Sequence, residues 1–172
     1  MNSLEKLILK RIKTNGPITF SSFMSSVLYD ENFGYYSGKT NNHPLGIYGD
    51  YYTSPLVHPA FASLLAINIY HLWKAINEPV EFTIVEIGAG NGYLYREIIS
   101  FYKKNIPSFL SVITYYPVDV FSDKSKDIYH IKEVPKGITG CIISNELIDA
   151  FPVNRFIFKD KKIKEIYVDY DY

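Results

Sequence analysis

The stretch VEIGAGNGYL, residues 85–94, joins an apolar run to three alternate glycines and then returns to the spacing of a helix. Ahead of it FTIVEI (82–87) reads as a buried strand, and behind it Leu94, Ile98 and Tyr102 fall on one helical face. A second strand within SVITYYPVDV (111–120) completes a βαβ pattern, so the sheet is expected to be parallel. The fold class is α/β. A weak strand over 128–134 and a stronger one at GCIIS (140–144) extend the sheet, and RFIFKDKKIKEIYV (155–168) predicts a hairpin turning at Asp160-Lys161.

Glycine removes the Cβ atoms that would block a ligand from a strand end, so a turn of this kind suits a nucleotide-bearing cofactor. The nicotinamide fingerprint G-x-G-x-x-G needs a third glycine at position 93, and Tyr93 stands there. What remains is Glu86 two places before Gly88, Gly90 and Gly92, a pattern that resembles the first motif of class I S-adenosylmethionine-dependent methyltransferases. Asp119, ending the next strand, adds a carboxylate able to accept from both hydroxyls of a ribose. A capping or merely solvated aspartate is the plainer reading of Asp119.

The chain preceding residue 77 is helical. Asn2 and Glu5 form a capping box for a helix with an apolar stripe of Leu4, Leu7, Ile8 and Ile12, ended by Asn15-Gly16-Pro17. A second helix starts at Thr19 with Phe20, Phe23, Met24, Val27 and Leu28 on its buried face. A third starts near Pro59, with Phe61, Leu64, Leu65, Leu72 and Trp73 facing inward, and closes at Asn77-Glu78-Pro79. The long aromatic and turn-rich run from Asp30 to Pro55 is a candidate lid. The expected organisation is a helical region with a lid over 1–77 and a partial Rossmann-like core over 78–172.

Composition narrows the partners. Eighteen basic and 18 acidic residues leave no net charge, so no whole-molecule field favours nucleic acid or an anionic membrane. No run of about 18 uncharged apolar residues marks a membrane span, and neither that nor the N-terminus suggests a signal peptide, so a cytoplasmic protein is expected. The single cysteine, Cys141, lies in an apolar strand and reads as a small buried hydrophobe, which excludes a disulfide framework or a cysteine zinc site within one chain. His43, His58, His71 and His130 show no ligand spacing, and no metal is expected.

Three further stretches, GPITFSSFMSSVLYDENFGYYS, GDYYTSP and SNELIDAFPV, stand in this order around the glycine turn. Together they resemble the MidA-like methyltransferases, a family that includes a mitochondrial complex I assembly factor methylating protein arginine. The resemblance covers most of residues 16–158. It implies S-adenosylmethionine as cofactor, a protein substrate such as a respiratory NADH dehydrogenase subunit, and a class I sheet with an added helical region. Glu86, Gly88, Gly90 and Gly92 match its cofactor turn and Asp119 its ribose acid. Asn145, Glu146 and Asp149 match its NE-x-x-D segment and are the candidate catalytic residues, while Gly49, Asp50, Thr53, Ser54 and Pro55 match a segment of unassigned role. A simpler reading makes Glu146 and Asp149 first-turn acids of a short helix and Ser54 a helix cap.

Family members are roughly twice as long as this chain, and the complete class I sheet has more strands. The strand CII is therefore expected to carry an unpaired edge beside apolar side chains. The hairpin, a second copy or a separate C-terminal half would cover it. The competing functional reading is a catalytically inactive cofactor-binding or assembly module that needs a partner chain.

Overall fold

The computed structural model describes residues 2–37, 54–121, 123 and 127–171. They fall into two compact units, one built from residues 1–44 and 148–172, the other from 45–147. The unit boundaries differ from the division expected at residue 77. The physical reason lies in two long-range associations: the chain's start pairs with its end, and the third long helix packs on the sheet.

In the first unit, helix α1 (Ser3–Asn15) opens with the capping box read from the sequence. Glu5 N–H donates to Asn2 Oδ1 at 2.8 Å, and Asn2 N–H to Glu5 Oε2 at 3.2 Å. Gly16, at φ 80°, ends it. Strand β1 (Ile18–Thr19) leads into helix α2 (Phe20–Tyr29), capped by Thr19. The buried residue of α2 is Ser26, not the five apolar residues expected, which are only half-buried. Ser26 accepts from Arg11 Nη1 and donates to the Ser22 carbonyl, both at 2.9 Å, so its polar atom is satisfied where it is buried. Tyr29 Oη donates to the Ala150 carbonyl.

The expected hairpin forms from β6 (Phe156–Lys159) and β7 (Lys162–Glu165), which follow the four strands of the other unit in chain order. Asp160 and Lys161 both take positive φ, 56° and 59°, as a two-residue hairpin turn with right-handed strand twist requires. The closing strand β8 (Tyr167–Val168) pairs antiparallel with β1.

The second unit holds the sheet. A short helix α3 (Ser54–Val57) precedes α4 (Ala60–Ala75), and β2 (Phe82–Ile87), α5 (Tyr93–Asn105), α6 (Pro107–Leu110), β3 (Ile113–Asp119), β4 (Tyr129–His130) and β5 (Gly140–Ser144) follow. The strands are parallel in the order β4-β3-β2-β5. The weak strand expected over 128–134 is only two residues long and gives way to a 3₁₀ turn at Ile131–Glu133.

Helix α5 buries Leu94, Ile98 and Tyr102, the face its period indicated. Helix α4 buries Ala62, Ala66 and Ile69, whereas Leu64 is 62% exposed and Leu72 is also exposed. The correction has a steric basis: alanines let α4 approach its neighbours closely, and Tyr102 Oη reaches the Ala66 carbonyl at 2.9 Å. Phe109 packs edge-on to Tyr102 with ring centroids 5.0 Å apart, beside Phe82 and Trp73. Each fully buried aromatic or aliphatic side chain contributes about 1.5–3 kcal/mol.

Strand β5 lies at the sheet's edge. Ile142 is 63% exposed, and among the described residues no strand pairs with its outer side, while the hairpin forms a separate two-stranded sheet. Cys141 is half-buried rather than buried, and burial pushes its thiol up to about 11.

The pairing of β5 with β2 depends on Gly140. A Cβ there would run into the backbone carbonyl of Thr83, which cannot move without breaking the ladder. Gly140→Ala is expected to cost about 4 kcal/mol, whereas Gly137→Ala, at φ 69° with open space around it, costs about 1–2 kcal/mol. Urea unfolding of both variants checks this; equal midpoints would contradict it.

Candidate functional site

Parallel register aligns the ends of three strands. Ile87 pairs with Val118 of β3 and with Ser144 of β5, so the next residues, Gly88, Asp119 and Asn145, leave the sheet side by side. Strand β3 follows β2 on one side and β5 lies on the other, so the chain order reverses at β2. Open α/β sheets bind ligands in the crevice at the carboxyl ends where this happens.

The glycine turn fits such a crevice. Gly88, Gly90 and Gly92 have φ of 78°, 55° and 72°. Gly88 and Ala89 N–H groups both donate to the Val118 carbonyl, folding the turn onto β3. A Cβ on Gly88 would lie 2.8 Å from Leu147 Cδ1, so the segment after β5 lies directly against the turn. Gly92 starts α5, where Asn91 Oδ1 accepts from Tyr93 N–H and Arg96 Nη1 donates to the Asn91 carbonyl.

Asp119 is tied to this turn. Its Oδ2 accepts from Gly90 N–H at 3.0 Å and its Oδ1 from Phe121 N–H at 3.2 Å. Each carboxylate oxygen keeps a second lone pair, and the side chain is half-buried. A carboxylate fixed by two backbone donors beside a Cβ-free turn fits a nucleoside's ribose. The bond from Phe121 N–H, two residues on, also suits the plainer capping reading of Asp119, while the bond from Gly90 N–H ties the side chain to the glycine turn.

Glu86 is 4% exposed. Tyr115 Oη donates to Glu86 Oε2 at 3.0 Å. Burial pushes the Glu86 carboxyl up to about 7; the Tyr115 hydrogen bond and the Arg96 charge oppose that rise, and the Asp119 charge adds to it. Its hydroxyl partner is pushed far up by burial and by the carboxylate itself.

Asn145 and Glu146 follow β5 in the same unit. Glu146 is exposed and has φ 49°, a left-handed conformation that costs an ordinary residue about 1–2 kcal/mol. Asp149 belongs to the other unit, within the 3₁₀ turn Ile148–Ala150, and is exposed. The expected acid pair is thus divided between units. Gly49, Asp50 and Thr53 and most of the candidate lid lie outside the described residues, as does the Ser54 side chain; Pro55 lies in α3.

Sequence reading missed Tyr115 and Leu147. Nothing in local spacing identifies a cross-strand partner of Glu86, because that depends on register. Leu147 stands between the acids of the NE-x-x-D segment, and its contact with the glycine turn depends on how the chain leaves β5.

Residues 64–172 match the family model described as "Putative S-adenosyl-L-methionine-dependent methyltransferase". The Drosophila melanogaster protein arginine methyltransferase NDUFAF7 homolog, mitochondrial, is 26% identical over 97% of this chain and 45% of its own length. The human protein arginine methyltransferase NDUFAF7, mitochondrial, is 27% identical over 95% of this chain and 44% of its own. A Burkholderia thailandensis crystal structure bound to S-adenosyl-homocysteine superposes with a TM-score of 0.82 at 23% identity, over 98% of this chain and 47% of that one, a likeness of fold. The chain spans about half the length of these relatives.

The cytoplasmic location expected from the sequence is overturned by the Drosophila and human relatives, which are mitochondrial proteins. Among the described residues no helix is long and apolar enough to cross a membrane. The MidA-like resemblance and the α/β class are borne out: by the match over 64–172 and the parallel sheet, the chain belongs to this S-adenosyl-L-methionine-dependent methyltransferase family.

Proposed function

We propose that the chain binds S-adenosylmethionine at the carboxyl ends of β2 and β3 and serves a methyltransferase acting on protein arginine. The observation that carries the reading is the Asp119 carboxylate, held by Gly90 N–H at 3.0 Å beside a turn of three left-handed glycines. In this reading Asp119 accepts from the ribose hydroxyls, Gly88, Gly90 and Gly92 give close backbone approach, and Glu86 faces the cationic amino end. The cofactor, when bound, supplies a methyl group activated by its sulfonium.

Arginine as acceptor is supported by the names of the relatives. A guanidinium has a pKa above 12 and is a poor nucleophile until a carboxylate localises its charge and receives its proton. Glu146, exposed after β5, takes that role, and the Asn145 amide offers hydrogen bonds beside it. Asp149 enters through the NE-x-x-D resemblance alone. A respiratory NADH dehydrogenase subunit is the target type the family resemblance suggests.

Calorimetric titration with S-adenosylmethionine and S-adenosylhomocysteine tests the reading. Both ligands are expected to bind the wild type, and Gly90→Val, which puts a β-branched residue at φ 55°, to lose at least about tenfold in affinity. No heat from either ligand would overturn the proposal. Binding without transfer of labelled methyl to any protein of a cell extract would favour the inactive assembly module instead.

A second copy or a separate polypeptide covering the edge of β5 belongs to the same proposal, supported by the exposed Ile142. Light scattering and hydrogen exchange test it: a monomer with fully protected 141–144 amides would contradict it.

A further inference from the structure

Glu86 is an acidic side chain buried at the foot of the glycine turn, and its surroundings are specific to its position in the sheet. Tyr115 pairs in register with Ile84, two residues before Glu86, so both side chains project from the same face as diagonal neighbours on adjacent strands. The Tyr115 ring is itself fixed by the Tyr95 ring from α5, with centroids 5.0 Å apart. Its hydroxyl has one place to donate, and Glu86 Oε2 occupies it at 3.0 Å. The charged groups acting on Glu86 are Arg96 from α5 and Asp119 from the end of β3, and they act in opposite senses.

We propose that Tyr115 is a positioning residue of the cofactor site: its hydroxyl fixes the Glu86 carboxylate and favours its ionised form, leaving the second oxygen for the ligand's ammonium group. The inference rests on the proposed cofactor reading. A buried carboxylate loses its charge unless a donor compensates for the lost water, and Tyr115 supplies that donor. Near neutral pH the turn therefore binds a cationic amino end well only while this bond is made.

Burial has already pushed Glu86 up to about 7, so the effect falls in the physiological range. Removing the hydroxyl removes one of the two influences that oppose burial, and the carboxyl moves further up. Tyr115→Phe keeps the ring and its packing on Tyr95. Taking an upward move of about one pH unit as the scale of one such bond, the variant is about fivefold weaker than wild type for S-adenosylmethionine at pH 7 and nearly equal to it at pH 9. Comparing the two proteins at each pH cancels the ligand's own titration.

The experiment is calorimetric titration with S-adenosylmethionine from pH 6 to 9 on the wild type, Tyr115→Phe and Glu86→Gln. It is paired with a carbon-13 carboxyl titration of Glu86 in the ligand-free wild type and Tyr115→Phe. The expected result is a higher Glu86 midpoint in Tyr115→Phe and an affinity deficit that closes as pH rises, with Glu86→Gln weak throughout. An affinity deficit equal at every pH, or superimposable Glu86 titrations, would overturn the role of Tyr115. Absence of binding in all three proteins would overturn the cofactor reading, while the carboxyl titration would still decide whether Tyr115 governs Glu86.

Discussion

Asp119→Ala is expected to lower the affinity for S-adenosylhomocysteine by about 100-fold or more. Two effects combine. The substitution removes the acceptors proposed for the ribose hydroxyls, each hydrogen bond to a charged group being worth about 1.5–3 kcal/mol. It also releases Gly90 N–H and Phe121 N–H, which Asp119 now holds at 3.0 and 3.2 Å, so the turn loses the tie that shapes it. Asp119→Asn keeps one acceptor oxygen and is expected to fall between the two. Calorimetry on the three proteins checks the order, and an Asp119→Ala affinity within about threefold of wild type would contradict it.

The second large effect concerns stability. Glu86 titrates at about 7 in the folded protein against 4.5 as its ordinary value, so between those pH values the folded state holds a proton that the unfolded chain releases. The Glu86 contribution to stability therefore falls as pH rises from about 4.5 to 7 and is level above that, a sense opposite to that of a salt-bridged carboxylate. Glu86→Gln removes this loss while retaining an oxygen for Tyr115. It is expected to exceed wild type by about 2–3 kcal/mol at pH 8, or roughly 5–10 °C in melting temperature, with little advantage at pH 4.5. Thermal melts at the two pH values check it; an equal difference at both would contradict it. The same substitution is expected to weaken cofactor binding, so the buried charge is a stability cost retained for a site.

Some of this was readable from local pattern. The βαβ unit around residues 85–94 is legible because a short apolar strand gives way to glycines and then to the 3.6 spacing of Leu94, Ile98 and Tyr102. The α1 capping box and the Asp160-Lys161 hairpin turn were equally local, each set by a few consecutive residues. In helix α4 the spacing correctly places Phe61, Leu65 and Trp73 against the core, but Leu64 and Leu72 are exposed. There the close contact is made by Ala62 and Ala66, and Leu64 faces outward.

What depended on strand register could not be read. The meeting of the glycine turn with Asp119 follows from the βαβ order, which brings the carboxyl ends of β2 and β3 together, but the Tyr115–Glu86 bond, across 29 positions, needs β3 placed against β2 in one register. The pairing of β1 with β8, which joins the two ends of the chain in one unit, has no local signal at all. The residues of the candidate site were therefore largely visible as types, and their partners were not.

The most direct measurement is a crystal structure of the chain grown with S-adenosylhomocysteine. The account predicts the ligand at Gly88–Gly92, with both ribose hydroxyls donating to Asp119 and the amino group towards Glu86. Ligand bound elsewhere, or Asp119 turned away from the sugar, would contradict it.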